Sequence, residues 1–118
     1  MAAASPAGPA AAPSTPELEG RLGACHALEI PFVFGTLAEP AVAGFTGSGP
    51  RAEALAEAMM DAWLAFAASG DPRHPGLPAW TPYTVPTRAT QILDRSEACR
   101  VVSAPRDEER RFWDEVRA

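Results

Sequence analysis

Apolar residues recur at helical spacing through residues 51–69. Leu55, Met59, Trp63 and Phe66 make one stripe at steps of four, four and three, with Met60, Leu64 and Ala67 beside it. Glu53, Glu57 and Asp61 fall on another face. Pro50 stands where a helix can open, the early acidic residues suit the positive end of its dipole, and Gly70 followed by Asp71-Pro72 closes it. The pattern predicts a helix over 51–69 whose wide apolar face needs cover from other structure.

The other elements are shorter. Residues 30–34 are apolar, but Pro31 cannot donate to a ladder, so they read as a buried loop or a short edge strand. Residues 44–50 hold three glycines and a proline and read as a connection. Pro72, Pro75, Pro78, Pro82 and Pro86 with Gly76 make 71–86 an extended loop, pinned by Trp80 and Tyr83. Residues 90–93 and 100–102 suit two strands, with Asp94-Arg95-Ser96-Glu97 as the turn between them. A terminal helix over about 105–117 would carry Phe112, Trp113 and Val116 on one side. There are no internal repeats.

Composition changes this picture at both ends of the scale. Residues 1–16 are nearly all Ala, Pro, Ser, Gly and Thr, with no charged side chain, and cannot bury enough area to offset the entropy of ordering. With the polar lead-in that follows, 1–20 is expected to be a disordered leader and 21–118 one organised unit, within the single domain that 118 residues allow. That unit holds five Phe, three Trp and one Tyr. Each needs roughly 150–250 Å² of partner surface. The elements are too few to supply it, which suggests a piece of something larger.

Charge excludes some partners. The net charge is −5, every one of the ten basic residues is Arg, and no basic stripe runs along any element, so nucleic acid is not an expected partner. Cys25 and Cys99 form neither a disulfide framework nor a zinc spacing and read as free thiols of a reducing compartment. The start lacks a basic n-region, and Pro6, Pro9 and Pro13 interrupt any apolar core of a signal peptide. No window is apolar for the length of a bilayer, so membrane is not expected and a cytoplasmic location is.

Chemistry points to one residue. Imidazole exchanges a proton near neutral pH and can serve acyl transfer. His26 lies among small neighbours, Gly23 and Ala24, that would let a substrate or a serine hydroxyl approach. The residues alone leave two readings open, a working base or an ordinary loop or core histidine. Cys25 beside it makes no dyad, because adjacent side chains diverge. A metal site would need a third ligand beside His26 and Glu29, and His74 lies in the proline-rich loop, so neither metal nor cofactor is expected. Glu29 reads as a structural carboxylate that pairs with an arginine or caps backbone donors. Gly47-Ser48-Gly49 is neither a phosphate loop, having no lysine, nor a nucleophile elbow, and Ser48 reads as serving the turn or the helix start.

Taken in order, the pieces carry a resemblance. The run Gly23-Ala24-Cys25-His26-Ala27-Leu28-Glu29-Ile30-Pro31-Phe32-Val33-Phe34-Gly35 resembles the histidine motif of the type-B carboxylesterases, the para-nitrobenzyl esterase and cholinesterase-like α/β-hydrolases. Met60, Trp63, Phe66 and Ala67 with Gly70-Asp71-Pro72 are similar to the family's late helix and its exit. Pro78-Ala79-Trp80, Tyr83 and Ile92-Leu93-Asp94 follow in the family's order. The resemblance covers roughly residues 22–116.

What it implies is specific. The fold class would be α/β, a C-terminal fragment of an α/β-hydrolase with histidine loop, long helix, short strand pair and terminal helix, incomplete as an independent fold. His26 would be the triad base of a serine esterase acting on small-molecule carboxylic esters through an acyl-enzyme. In this fold the histidine comes last of the triad in chain order, after serine and acid. The chain has no Gly-x-Ser-x-Gly, and upstream of His26 its only acidic residues are Glu17 and Glu19, which match nothing in the family pattern. The expectation is a truncated or mis-started product or a remnant, inactive alone and loosely folded, with the N-terminal part of the hydrolase as its partner. A small non-catalytic interaction module and one half of a split esterase are the competing expectations.

Overall fold

The computed structural model describes residues 16–94 and 98–117. The expected leader over 1–20 lies outside them except at its end, where Glu17–Gly20 form a 3₁₀ turn. Four helices and one hairpin follow: α1 (Ile30–Val33), α2 (Pro40–Thr46), α3 (Pro50–Ser69), β1 (Ala89–Ile92), β2 (Arg100–Ser103) and α4 (Asp107–Val116).

The three upstream helices all carry proline at their first positions. Proline has no N–H to waste there, and its φ is already helical. Two sequence expectations are corrected by this. The apolar run at 30–34 is one turn of helix rather than a loop or an edge strand. The stretch expected to be a connection from residue 44 is helical up to Thr46, with Gly44 inside α2, so the connection shrinks to residues 47–49.

Helix α3 is the axis of the unit. It runs one residue earlier than the periodicity predicts, from Pro50. Gly49 caps it with no side-chain bond, so Ser48 does not serve the helix start. It stops where Gly70 turns left-handed at φ 75° and its N–H reaches the Phe66 carbonyl at 2.7 Å. At that exit Arg73 binds the Asp71 carboxylate, and this hydrogen bond holds the carboxyl below its usual range.

Packing is concentrated on the first half of α3. Phe32 and Leu37 seal against Ala52, Leu55, Ala56 and Met59, with Val33, Leu93 and Cys99 at the margin. Gly35 passes so close that a Cβ would sit 2.9 Å from the Met60 sulfur. The hairpin is antiparallel, in register from Ala89 opposite Ser103 to Ile92 opposite Arg100, as its two β-rich runs predict. Residues 95–97 of the expected turn lie outside the described residues. Trp80 is half-buried, but Tyr83 is exposed, so only the tryptophan can pin the proline-rich loop.

Cover then runs out. Trp63, Leu64 and Phe66 on α3 are exposed, as are Phe112, Trp113 and Val116 on α4, which buries no residue at all. Phe112 and Trp113 meet edge-to-face at 5.4 Å, and α4 holds its shape through Arg110 bridging Asp107 and Asp114. The surplus of aromatics over scaffold that the sequence shows is thus visible as bare apolar surface.

Candidate functional site

The turn that carries His26 is built entirely from nearby backbone. The Gly23 N–H bonds the Gly20 carbonyl at 3.1 Å, with both glycines at positive φ. The Leu28 N–H donates to the Cys25 carbonyl and the Ile30 N–H to the Ala27 carbonyl, each at 3.3 Å. Leu28 is 1% exposed and anchors the turn from below. Ala27 stands at φ 66°, the left-handed region that costs a residue with a Cβ about 1–2 kcal/mol. Glu19, Arg88, Ala104 and Arg106 share the left-handed region, so this conformation is not particular to the His26 turn.

His26 sits at the outside of this turn. Its ring is exposed and makes no hydrogen bond among the described residues. Among the described residues neither an acid nor a hydroxyl is hydrogen-bonded to it. The turn therefore presents an imidazole, and the remaining chemistry of an acyl transfer would have to come from elsewhere.

The other residues singled out from the sequence fall as follows. Glu29 contributes its carbonyl, which accepts the Phe32 and Val33 N–H groups at 3.0 Å each in the first turn of α1. Its carboxylate is exposed and neither caps the helix nor pairs with an arginine among the described residues, which corrects the role expected for it. Cys25 is a half-buried free thiol, as is Cys99 at the hairpin end. The His74 ring accepts the Gly76 N–H on Nδ1 at 3.0 Å and so shapes its own loop. Among the described residues no group of three His, Cys, Asp or Glu could hold a metal ion.

His26 lines neither of two concavities found among the described residues. A cleft of about 700 Å³ runs between the start of α3 and 75–78, with Arg51, Leu55, Asp94 and Cys99 on its walls. Asp94 is buried there, with Arg100 3.8 Å away. A smaller, more apolar one of about 380 Å³ lies between α2 and α3, lined by Leu37, Ala43, Ala56 and Met60. No helix among the described residues is long and apolar enough to cross a membrane.

Comparison with known proteins identifies what this arrangement is similar to. A sequence profile of the carboxylesterase family matches residues 5–113. Phenmedipham hydrolase of Pseudarthrobacter oxydans is 32% identical over 95 residues, covering 77% of this chain and 19% of its own length. Among solved structures, the Geobacillus stearothermophilus carboxylesterase EST55 superposes with a TM-score of 0.66 at 45% identity, over 78% of this chain and 19% of that one. An esterase of Clostridium hathewayi that hydrolyses aliphatic aromatic polyesters superposes at 0.71 and 29% identity, over 86% and 19%. The chain thus spans about a fifth of the length of these relatives.

Proposed function

From the premise that this chain belongs to the carboxylesterase family, with the fold of one segment of an α/β-hydrolase esterase, we propose that His26 is the general base of a serine-esterase triad. The observation that carries the proposal is the His26 turn itself: an exposed imidazole, held by a strained left-handed Ala27 and a buried Leu28, inside the family match.

The chemistry follows from the ring. His26 takes the proton of a serine hydroxyl as its oxygen attacks the ester carbonyl carbon. The same proton goes to the alkoxide as the carbon–oxygen bond to the alcohol breaks, leaving an acyl-serine. Water then repeats the sequence: His26 takes its proton as its oxygen attacks the acyl carbon, and that proton passes to the serine oxygen as the acyl bond breaks, releasing the acid and restoring the serine. A triad acid fixes the ring and stabilises the imidazolium. The substrates are carboxylic esters.

The chain holds no Gly-x-Ser-x-Gly. A base without a nucleophile and oxyanion donors retains almost none of the rate enhancement. These 118 residues by themselves therefore hydrolyse no ester.

Two measurements test this. The purified chain should leave p-nitrophenyl acetate at its background rate. Grafted in place of the matched segment of the Geobacillus enzyme, it should support hydrolysis that His26→Asn abolishes. Turnover by the isolated chain that depends on His26, or a grafted His26→Asn enzyme as active as its parent, would overturn the proposal.

A further inference from the structure

We propose that His74 is a pH-operated latch on the cleft wall formed by residues 75–78: its neutral ring holds the wall in place, and protonation of the ring releases it. The inference stands apart from the role of His26.

The wall is a turn closed at one residue. Pro75 and Pro78 have fixed φ, which leaves Gly76 and Leu77 between them as the softer joints. Two hydrogen bonds close the turn, and both end on His74. Its carbonyl accepts the Leu77 N–H at 3.4 Å, and its ring Nδ1 accepts the Gly76 N–H at 3.0 Å. The ring bond is the shorter. Leu77 is buried, and the four residues of the wall share the cleft with Arg51 and Leu55 of α3.

The ring lies against Gly76. A Cβ there would come within 2.7 Å of its Cε1 and 3.0 Å of its Nδ1. The other nitrogen, Nε2, is buried and makes no hydrogen bond among the described residues. A nitrogen that accepts carries no proton, so the neutral tautomer with its hydrogen on Nε2 is the one that fits this turn.

Protonation removes the bond. It turns Nδ1 into a donor aimed at the Gly76 N–H, and no rotation of the imidazolium restores an acceptor. The charged ring also finds no carboxylate to hold it. Asp71, on the same stretch, is bound by Arg73, and Asp94 of the cleft lies 3.8 Å from Arg100. Of the other titratable groups on the cleft, Arg51 is a cation, and the Cys99 thiol donates to the Asp94 carbonyl at 3.7 Å. The Gly76 bond is therefore present while the ring is neutral and is lost as pH falls and the ring takes up its proton. The turn then keeps only the longer Leu77 bond.

Nuclear magnetic resonance on the full 118-residue chain tests this, following the Gly76 amide and the His74 ring from pH 8 to pH 5, the range in which imidazoles ordinarily titrate. The Gly76 amide should be protected from exchange at pH 8. It should lose about fivefold of that protection as the ring protonates, the equivalent of one hydrogen bond, and its shift should follow the ring's own midpoint. His74→Asn supplies an oxygen that accepts the N–H two residues on and takes no proton in this range, so it should keep the protection at both pH values. His74→Ala should lack it at both, and so should Gly76→Ala, whose added carbon pushes the ring away. A Gly76 amide unprotected at pH 8, protection that survives protonation of the ring or persists in His74→Ala, or a His74→Asn chain with the parent's pH response overturns the proposal.

Discussion

Phe32 and Phe34 are the same residue type, two positions apart at the end of α1, and the structure assigns them opposite energetics. Phe32 is 0% exposed and touches the centre of the α1–α3 core, whereas Phe34 is 73% exposed. Truncating a buried Phe to Ala costs about 3–5 kcal/mol, the transfer of the ring plus the cavity it leaves. Phe34 has roughly a quarter of its surface covered, and full burial is worth about 1.5–3 kcal/mol, so its truncation should cost about 0.5 kcal/mol. With urea slopes of about 1–3 kcal/mol per molar, Phe32→Ala lowers the midpoint by about 1 M or more and Phe34→Ala by under about 0.5 M. Urea titration followed by helical ellipticity measures both against the parent. A Phe32→Ala chain with no residual helical transition agrees with the reasoning, since the loss then exceeds the whole stability. It is refuted if Phe34→Ala loses as much as Phe32→Ala, or if Phe32→Ala stays within about 1 kcal/mol of the parent.

Three further outcomes follow from single features. Gly70→Ala should destabilise by about 1 kcal/mol in the same titration: φ is 75° and the added Cβ would meet nothing, so the whole cost is conformational. Thr46→Val should cost about 1 kcal/mol. The Thr46 hydroxyl lies 3.0 Å from both the Val42 and Gly47 carbonyls, but its single proton bonds only one at a time. Acidification should melt α4 early. The hydrogen bond from Arg110, with Arg111 nearby, depresses the Asp107 carboxyl below its ordinary 3.8. A group with a lowered folded pKa stabilises above its unfolded value and loses that contribution as pH falls through the folded one. Helical ellipticity on an acid titration should therefore decline below about pH 4, with Asp107→Asn flattening the part due to α4. An unchanged profile in that variant counts against the assignment.

How much of this was legible in the sequence depended on how far each signal reaches. Helix α3 was readable because a stripe sustained over about three turns, Leu55 to Phe66, specifies one period, and the hairpin because its two β-rich runs flank turn residues. The short helices were not. In a run as brief as Ile30-Pro31-Phe32-Val33, periodicity cannot separate helix from strand, and the missing N–H of Pro31 argues equally for a sheet edge and for a first helical turn. In α2 the glycine at 44 reads as punctuation, yet it is merely tolerated at an exposed position. In the sequence, the triad role proposed for His26 rests on the family resemblance around it. The left-handed Ala27 next to it gives no sign in the sequence, because glycine or asparagine would signal positive φ and alanine does not.

That asymmetry between the site and its surroundings has a mechanical consequence. Every backbone bond that shapes the His26 turn is closed between Gly20 and Val33, and its anchor, Leu28, is already buried. What is incomplete is non-local: the cover over Trp63 and Phe66 and, on the role proposed for His26, the groups that would orient and use its imidazole. A loop ordered in advance loses little conformational freedom on assembly, so docking need not supply the free energy to form it. Amide exchange at Leu28 and Ile30, whose N–H groups bond within the turn, should thus be protected in the isolated chain to the same degree as in the grafted enzyme. Exchange that slows there only on grafting would mean that the body, and not the local sequence, builds the histidine turn.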